Sequence, residues 1–438
     1  MLTPQEVYPL LVVWLQACAG PAHRTAGAAL AHLVTALLVG QSLRPSALMR
    51  ALVSPQPVPA RQRYRRVARA WTRPWLSPGW LTPRLVQAAR TLVPGERRVA
   101  LDSVRCGGWE VFTVGLVWHG RVLPVSWLAL PYPWPKGEFT PSVCTLLGRV
   151  AAAWPATAPP PHLLADRAFP SQRLFATLQG WGWEWTVRLR AQMHLTVAGE
   201  RQPLREWIRQ SRPGQWTATP ATFGQGQAAV AATLVVGRGL LVVPWHQRGP
   251  ASQQARQQRA AQRERDLATK RRRATRRPAP ETDRWVVLFT THPHWRPAVT
   301  AYRRRWATEG TYRDGQGGWD GRHGWDLEPT VARAASRAQV EAIVGLWALG
   351  TLVQCWLGDQ LGAPSAPPAV QAIERQWTTT GRLSVWARGQ FAWREPSGAL
   401  RPWLLDTLRA GATRLAAARP AAPTARKPSA PRAAKQAA

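Results

Sequence analysis

The sequence predicts an α/β protein whose strand-bearing core and β-rich insertion are flanked by helical regions. Three observations predict it. Strand-like runs follow one another through short turns between Val99 and Leu130. A strand–helix–strand alternation runs from His162 to Leu189, and long apolar runs of helical length occupy both ends of the chain. At 438 residues the chain has room for two or three domains and a large buried core.

Residues 1–95 read as a helical domain. Leu10–Leu15 and Ala28–Leu38 have the apolar content of buried helices, and Ser46–Leu52 follows. Arg61-Gln62-Arg63-Tyr64-Arg65-Arg66 is basic, with Trp71 and Trp75 close behind. It is either a DNA-gripping surface or a solvated helix face, and an N-terminal DNA-binding domain is expected here. Residues 96–190 switch to strands: Val99–Val104, Gly108–Trp118 and Arg121–Leu130, the last two joined at His119-Gly120 as a tight hairpin. A helix is expected over Pro141–Trp154. Pro159-Pro160-Pro161 then breaks the chain before a strand at His162–Asp166, a helix at Ser171–Leu178 and a strand at Glu184–Leu189.

Residues 191–284 read as a β-rich insertion, with strand candidates at Trp216–Thr219, Ala229–Val236 and Leu240–Trp245. It ends in a basic arm, 254–277, that is either a solvated loop or a DNA contact. Residues 285–330 resume with a strand at Trp285–Thr290, and Arg296 to about Arg313 reads as mostly helix. Residues 331–415 form a helical C-terminal region, apolar from Val331 to Leu361, and residues 416–438 are an Ala/Pro/Arg/Lys tail whose composition predicts disorder.

The net charge is +35, from 58 basic and 23 acidic residues. Such an imbalance adds nothing to fold stability but attracts polyanions, so DNA or RNA is the expected partner. Arginine far outnumbers lysine, which occurs only at Lys136, Lys270, Lys427 and Lys435; part of that excess reflects GC-rich coding. No basic amphipathic helix or long apolar span points to a membrane. Cys18, Cys106, Cys144 and Cys355 are scattered, without C-x-x-C spacing, which fits a reducing bacterial cytoplasm and a nucleoid-associated protein. A zinc site is not expected: His292 and His294 lack a third ligand nearby in sequence, and His162 reads as strand packing or a solvent-facing side chain.

Three short stretches carry chemistry. Ala100-Leu101-Asp102-Ser103 and Leu164-Ala165-Asp166-Arg167-Ala168-Phe169 each bring an apolar strand to an aspartate. Tyr302-Arg303-Arg304-Arg305-Trp306-Ala307-Thr308-Glu309 sets a carboxylate on a basic helix. At about 100° per residue, Tyr302, Arg305 and Glu309 share one helix face, and Arg313 joins them. Two aspartates and a distant glutamate are what two-metal phosphodiester chemistry requires. The bland alternative makes Glu309 an ion-pair partner of its own helix.

These motifs resemble those of the DDE transposases of the insertion-sequence-4 group, whose signature is Y-x2-R-x3-E. Arg305-Trp306, Tyr312-Arg313-Asp314 and Gly318-Trp319-Asp320 are similar to the words around that family's catalytic helix. The two aspartate motifs are similar to its first and second, and the resemblance covers about residues 95–330. It implies an RNase H-like catalytic core. Asp102, Asp166 and Glu309 would be the catalytic metal ligands for two Mg²⁺ or Mn²⁺ ions, with Asp102 bridging both. Tyr302 and Arg305 would position the transposon-end phosphate. Cut-and-paste excision and integration would follow, on a homodimer holding the inverted-repeat ends and the target DNA. Trp285, in Arg284–Thr290, resembles the family's base-stacking tryptophan, although a core indole fits that place equally. Family members carry a lysine where this chain has Gln316, so Arg313 or Arg322 would have to supply the missing charge. Asp320 and Asp326 are the alternatives to Glu309.

Overall fold

The computed structural model describes residues 3–20, 23–53, 58–210, 215–238, 285–316, 324–376, 384–394, 398 and 400–418. The expected strand at Leu240–Trp245, the basic arm 254–277, Gly318–Asp320, Arg322 and the tail beyond residue 418 lie outside these.

Ten strands form one mixed sheet: β1 (Arg98–Cys106), β2 (Trp109–Trp118), β3 (Arg121–Pro131), β4 (His162–Ala165), β5 (Glu184–Arg188), β6 (His194–Val197), β7 (Glu200–Pro203), β8 (Trp216–Phe223), β9 (Val230–Arg238) and β10 (Trp285–Thr290). Their order is β3-β2-β1-β4-β5-β10-β9-β8-β6-β7. β1, β4 and β5 are mutually parallel, and all other neighbours are antiparallel. β4 is buried throughout, as parallel strands covered on both faces are, which is why His162-Leu163-Leu164-Ala165 reads as a continuous apolar run. The β2–β3 turn has His119 at φ 44° and Gly120 at φ 75°, the two left-handed residues that a tight hairpin turn needs. Between Val114 and Gly115 the β2–β3 register shifts; a Cβ on Gly115 would lie 2.3 Å from the Leu123 carbonyl oxygen, so only glycine fits.

The expected elements of residues 96–190 appear within one to three residues of their predicted bounds. Two expectations change. The strands of residues 191–238 do not make a separate layer but extend the main sheet, because β9 pairs with β10 along all six residues from Trp285 to Thr290. That pairing covers an edge of β10 that would otherwise present open backbone groups. The single helix face expected to carry Tyr302, Arg305 and Glu309 is divided among three elements: helices Trp295–Arg303 and Ala307–Gln316, joined by a 3₁₀ turn at Arg304–Trp306. The tighter turn draws the Arg305 side chain inward, where it meets carboxylates.

The two helical ends of the chain pack together. Helix Arg337–Leu361 lies against β3 and against helices Arg24–Gly40, Pro78–Leu92 and Val385–Arg394. It is long and apolar enough to cross a membrane by composition, but 94% of its most apolar window is buried inside the fold. Helix Pro4–Ala19 packs on helix Leu400–Ala417, and the Trp14 and Trp356 rings meet at 6.5 Å. Ser42 and Arg44 both donate to the carboxylate of Asp326, at 2.6 and 3.1 Å. Asp326 is thereby engaged in tying the N-terminal helices to the segment before helix Leu327–Val331, and Asp320 lies outside the described residues.

Candidate active site

The site is built from neighbouring strand positions. The last β1–β4 pair is Leu101↔Ala165, and the next residue on each strand is an aspartate. Asp102 and Asp166 therefore start from backbones about 4.8 Å apart, the ordinary spacing of paired strands. β1 continues past Asp102 to Cys106, whereas β4 stops just before Asp166.

Helix Ala307–Gln316 is held over this point by the β2–β3 hairpin and by β1. Thr311 Oγ1 accepts from the Val122 amide at 2.7 Å, and Arg121 pairs with Asp314. The Tyr312 hydroxyl donates to the Asp102 carbonyl at 3.3 Å and lies 2.6 Å from the Thr113 hydroxyl, while its ring stacks on Trp347. These contacts place Glu309, in the first turn of the helix, where Arg305 links it to Asp102.

Arg305 occupies the centre. One terminal nitrogen donates to Asp102 Oδ2 at 3.0 Å and the other to Glu309 Oε1 at 3.3 Å, with only 6% of its side chain exposed. Thr308 Oγ1 donates to the same Asp102 oxygen at 2.6 Å. The Tyr302 hydroxyl, fully buried, donates to Asp166 Oδ1 at 3.0 Å. Asp102, Asp166, Tyr302, Arg305 and Glu309 thus meet in one place. Arg313 is exposed, and Gln316, the last residue of the helix, is half-buried. Thr308, Thr113 and Tyr312 escaped sequence reading because hydroxyl residues in a helix or strand carry no signal of their own.

The electrostatics separate the two aspartates. Burial holds the Asp102 carboxyl above its ordinary range, against the opposing pull of Arg305 and Thr308. Burial also acts upward on Asp166, but Arg305, the Arg167 amide, Tyr302 and Arg188 outweigh it and leave that carboxyl low. Burial would lower the Arg305 guanidinium, yet Tyr302 and the surrounding carboxylates hold it protonated. Burial, then Asp166, hold the Tyr302 phenol protonated, against the pull of Arg305.

The donor set fits divalent metal. Three carboxylates offer the hard oxygens that Mg²⁺ and Mn²⁺ prefer, and they meet around one cation, Arg305, whose buried Nε finds no acceptor. Glu309 is 57% exposed and free to move onto an ion.

Beside Asp166 opens a cleft of about 380 Å³, lined by Arg167, Arg188, Arg190, Ile208 and Trp285. Its basic wall suits a phosphate backbone. Trp285 begins β10, is 8% exposed and packs in the main core while one edge reaches this cleft. Trp285→Ala is therefore expected to cost about 3–5 kcal/mol of stability as a core truncation; thermal unfolding of the variant measures it.

Asp314 carries a pH signature. Burial, opposed by Arg121, lifts its carboxyl to about 6. A carboxyl raised on folding contributes stability that is full below its unfolded value, near 4, and is lost as pH rises through about 6. Asp314→Asn is expected to flatten that loss, as read from urea midpoints between pH 4 and 7.

A second cluster lies apart. Among the described residues, His162, Glu184 and His292 bring their donor atoms within 4.8 Å of one another. Burial, with His292, Arg97 and Arg98, pushes the His162 imidazolium down to about 3, so the ring is neutral. Sequence reading set these histidines aside because Glu184 joins them only through the sheet.

No protein-family model matches the chain, and no curated protein matches it.

Proposed function

We propose that the protein is a DNA transposase of the DDE type, excising and integrating an insertion sequence by two-metal-ion hydrolysis and transesterification. The observation that carries this reading is the meeting of Asp102, Asp166 and Glu309 around Arg305 and Tyr302. They lie 64 (166 − 102) and 143 (309 − 166) positions apart in sequence. The order β3-β2-β1-β4-β5, an antiparallel meander whose first strand continues parallel into β4 and β5, supports an RNase H-like core. The two aspartates sit side by side where β4 ends, part-way along β1.

Two Mg²⁺ or Mn²⁺ ions held by Asp102, Asp166 and Glu309 would supply Lewis acidity to the scissile phosphate and an activated oxygen nucleophile. The chain's own residues do the rest. Tyr302 and Thr308 fix the two aspartates by donating to one oxygen of each, and the Ser103 amide donates to the other oxygen of Asp102 at 2.9 Å. With the carboxylates engaged by metal, Arg305 would be free to hold a phosphate oxygen; its planar fork and permanent charge suit that task. Arg188 and Arg190 line the path by which a strand reaches Asp166. The partners are double-stranded DNA, as transposon ends and target, and a second copy of the chain, since two ends must be joined together.

Labelled DNA carrying the gene's own flanking ends tests the reaction. Incubation with purified protein should yield nicks in Mg²⁺ or Mn²⁺ and none in chelator. Products that ignore the chelator would exclude the two-metal reading.

Gln316 favours a second reading, a transposase-derived DNA-binding protein with weakened catalysis. Glutamine can hydrogen-bond a phosphate but brings no charge, and Gln316 stands half-buried at the end of the Glu309 helix. Gln316→Lys is expected to preserve or raise the nicking rate. A sharp loss would show that this position does not face the transposon end.

A further inference from the structure

At the opposite end of β4 from Asp166, roughly 13 Å away at about 3.3 Å per residue, His162 begins the strand. Glu184 begins β5 directly beside it, in register, and His292 follows the end of β10 on the far side of β5. The rings of His162 and His292 meet edge to face at 4.8 Å.

A chain of hydroxyl groups backs His162. Thr290 Oγ1 donates to the Trp185 carbonyl at 2.9 Å and accepts the His292 amide at 3.1 Å. With that proton on Trp185, Thr186 donates across the 2.8 Å contact to Thr290, and His162 Nε2 donates to Thr186 at 2.9 Å. In this tautomer His162 Nδ1 presents a lone pair. It faces Glu184 Oε2 at 3.8 Å, a buried oxygen with no hydrogen-bond partner. The other oxygen of Glu184 accepts from Arg97 at 2.7 Å, which fixes the carboxylate in this orientation. A second imidazole, that of His292, stands at their side, and one cation would satisfy the partnerless carboxylate oxygen and both rings at once.

We propose that His162 Nδ1, Glu184 Oε2 and His292 bind one divalent ion of the zinc class, in a site separate from the three acids. Two imidazoles and one carboxylate are a borderline donor set, which takes Zn²⁺ or Co²⁺ in preference to Mg²⁺. The Thr186–Thr290 chain is the outer support that metal-bound histidines have, a partner for the second ring nitrogen that fixes tautomer and orientation. A tetrahedral zinc, with bonds of about 2.0–2.1 Å, spaces its donors roughly 3.3 Å apart. Donors now as much as 4.8 Å apart must therefore close by up to about 1.5 Å, a movement on the scale of side-chain rotation. The ion would pin β4, β5 and the end of β10 together. β4 leads to Asp166, and three residues beyond His292 begins the helix that carries Tyr302. The ion thus fixes from behind the two elements whose relative position the Tyr302–Asp166 bond depends on.

The test uses the full-length, tag-free chain, stripped with chelator and titrated with Co²⁺. One equivalent should bind with the visible absorption bands of a nitrogen-ligated ion, Zn²⁺ should displace it, and excess Mg²⁺ should not. Saturating Zn²⁺ should raise Tm by about 5 °C. Glu184→Gln and His292→Asn should each abolish the bands and the Tm rise, whereas Glu309→Ala should leave both intact. Should one variant fail to melt cooperatively without metal, the other decides. Absence of a stoichiometric band in the parent, its persistence in a folded Glu184→Gln or His292→Asn protein, or its loss in Glu309→Ala would overturn the site.

Discussion

Replacing Asp102, Asp166 or Glu309 with alanine is expected to reduce DNA cleavage by roughly 10⁴-fold or more, the scale seen when one member of a catalytic unit is removed. Binding to transposon-end DNA should persist under the proposed reading, because Arg188 and Arg190 along the cleft are left in place. The three positions are expected to differ in stability. Glu309 is more than half exposed, so its loss should leave Tm nearly unchanged. Asp102 is the buried partner of Arg305, and its removal strands a buried cation. Asp102→Asn, which keeps an oxygen for Thr308, is the cleaner catalytic test at that position. Gel-based nicking beside a filter-binding assay separates the two effects. A variant that still cuts would remove that residue from the site.

The second large effect is expected at Arg305. Arg305→Met should destabilise the metal-free protein by about 3–5 kcal/mol, since it leaves the buried Asp102 carboxylate without its counterion. The sign of the pH dependence follows. Asp102 is already held above its ordinary range by burial, and losing Arg305 raises it further. A carboxyl raised on folding contributes most at low pH and loses that contribution as pH rises through its folded value. The Arg305→Met deficit should therefore be smallest near pH 4 and grow towards neutrality. Mg²⁺ or Mn²⁺ should restore part of it, because the ions take over the charge that the guanidinium neutralises. Urea unfolding of parent and variant, at both pH values and with and without metal, reads all of this. A deficit independent of pH would mean that Arg305 matters through packing alone.

Much of this fold was legible in the sequence, for physical reasons that differ by element. β1, β2 and β3 announce themselves by β-branched and aromatic runs bounded at Gly107-Gly108 and His119-Gly120, and β4 by its uninterrupted apolar residues. β6 and β7 went unseen. Each has four residues, polar in large part, joined at Ala198-Gly199, a left-handed turn that lacks the usual asparagine or aspartate. The joining of β8 and β9 to the main sheet was equally hidden, because pairing of β9 with β10 spans a long sequence separation. The helix break at Arg304–Trp306 has no glycine or proline to mark it; it is set by what Arg305 meets in three dimensions.

The candidate site shows the same division. Asp102, Asp166, Glu309, Tyr302 and Arg305 were found by motif, and the structure draws them together. Trp285 was placed on a strand, and that is where it lies, mostly in the core with an edge on the cleft. The hydroxyl groups that hold the acids, and the His162–Glu184–His292 cluster, became visible only when the sheet set their strands side by side.

The central claim is that this chain both cuts DNA and joins the cut end to a new site with the same three carboxylates. Strand transfer measures it most directly. A pre-cut end with a free 3′-hydroxyl, drawn from the gene's own flank, is incubated with purified protein, Mg²⁺ and a supercoiled target. The predicted result is a covalent joint between end and target, lost in chelator and lost in Glu309→Ala. End-specific binding without any joined product, in Mg²⁺ and in Mn²⁺ alike, would contradict it.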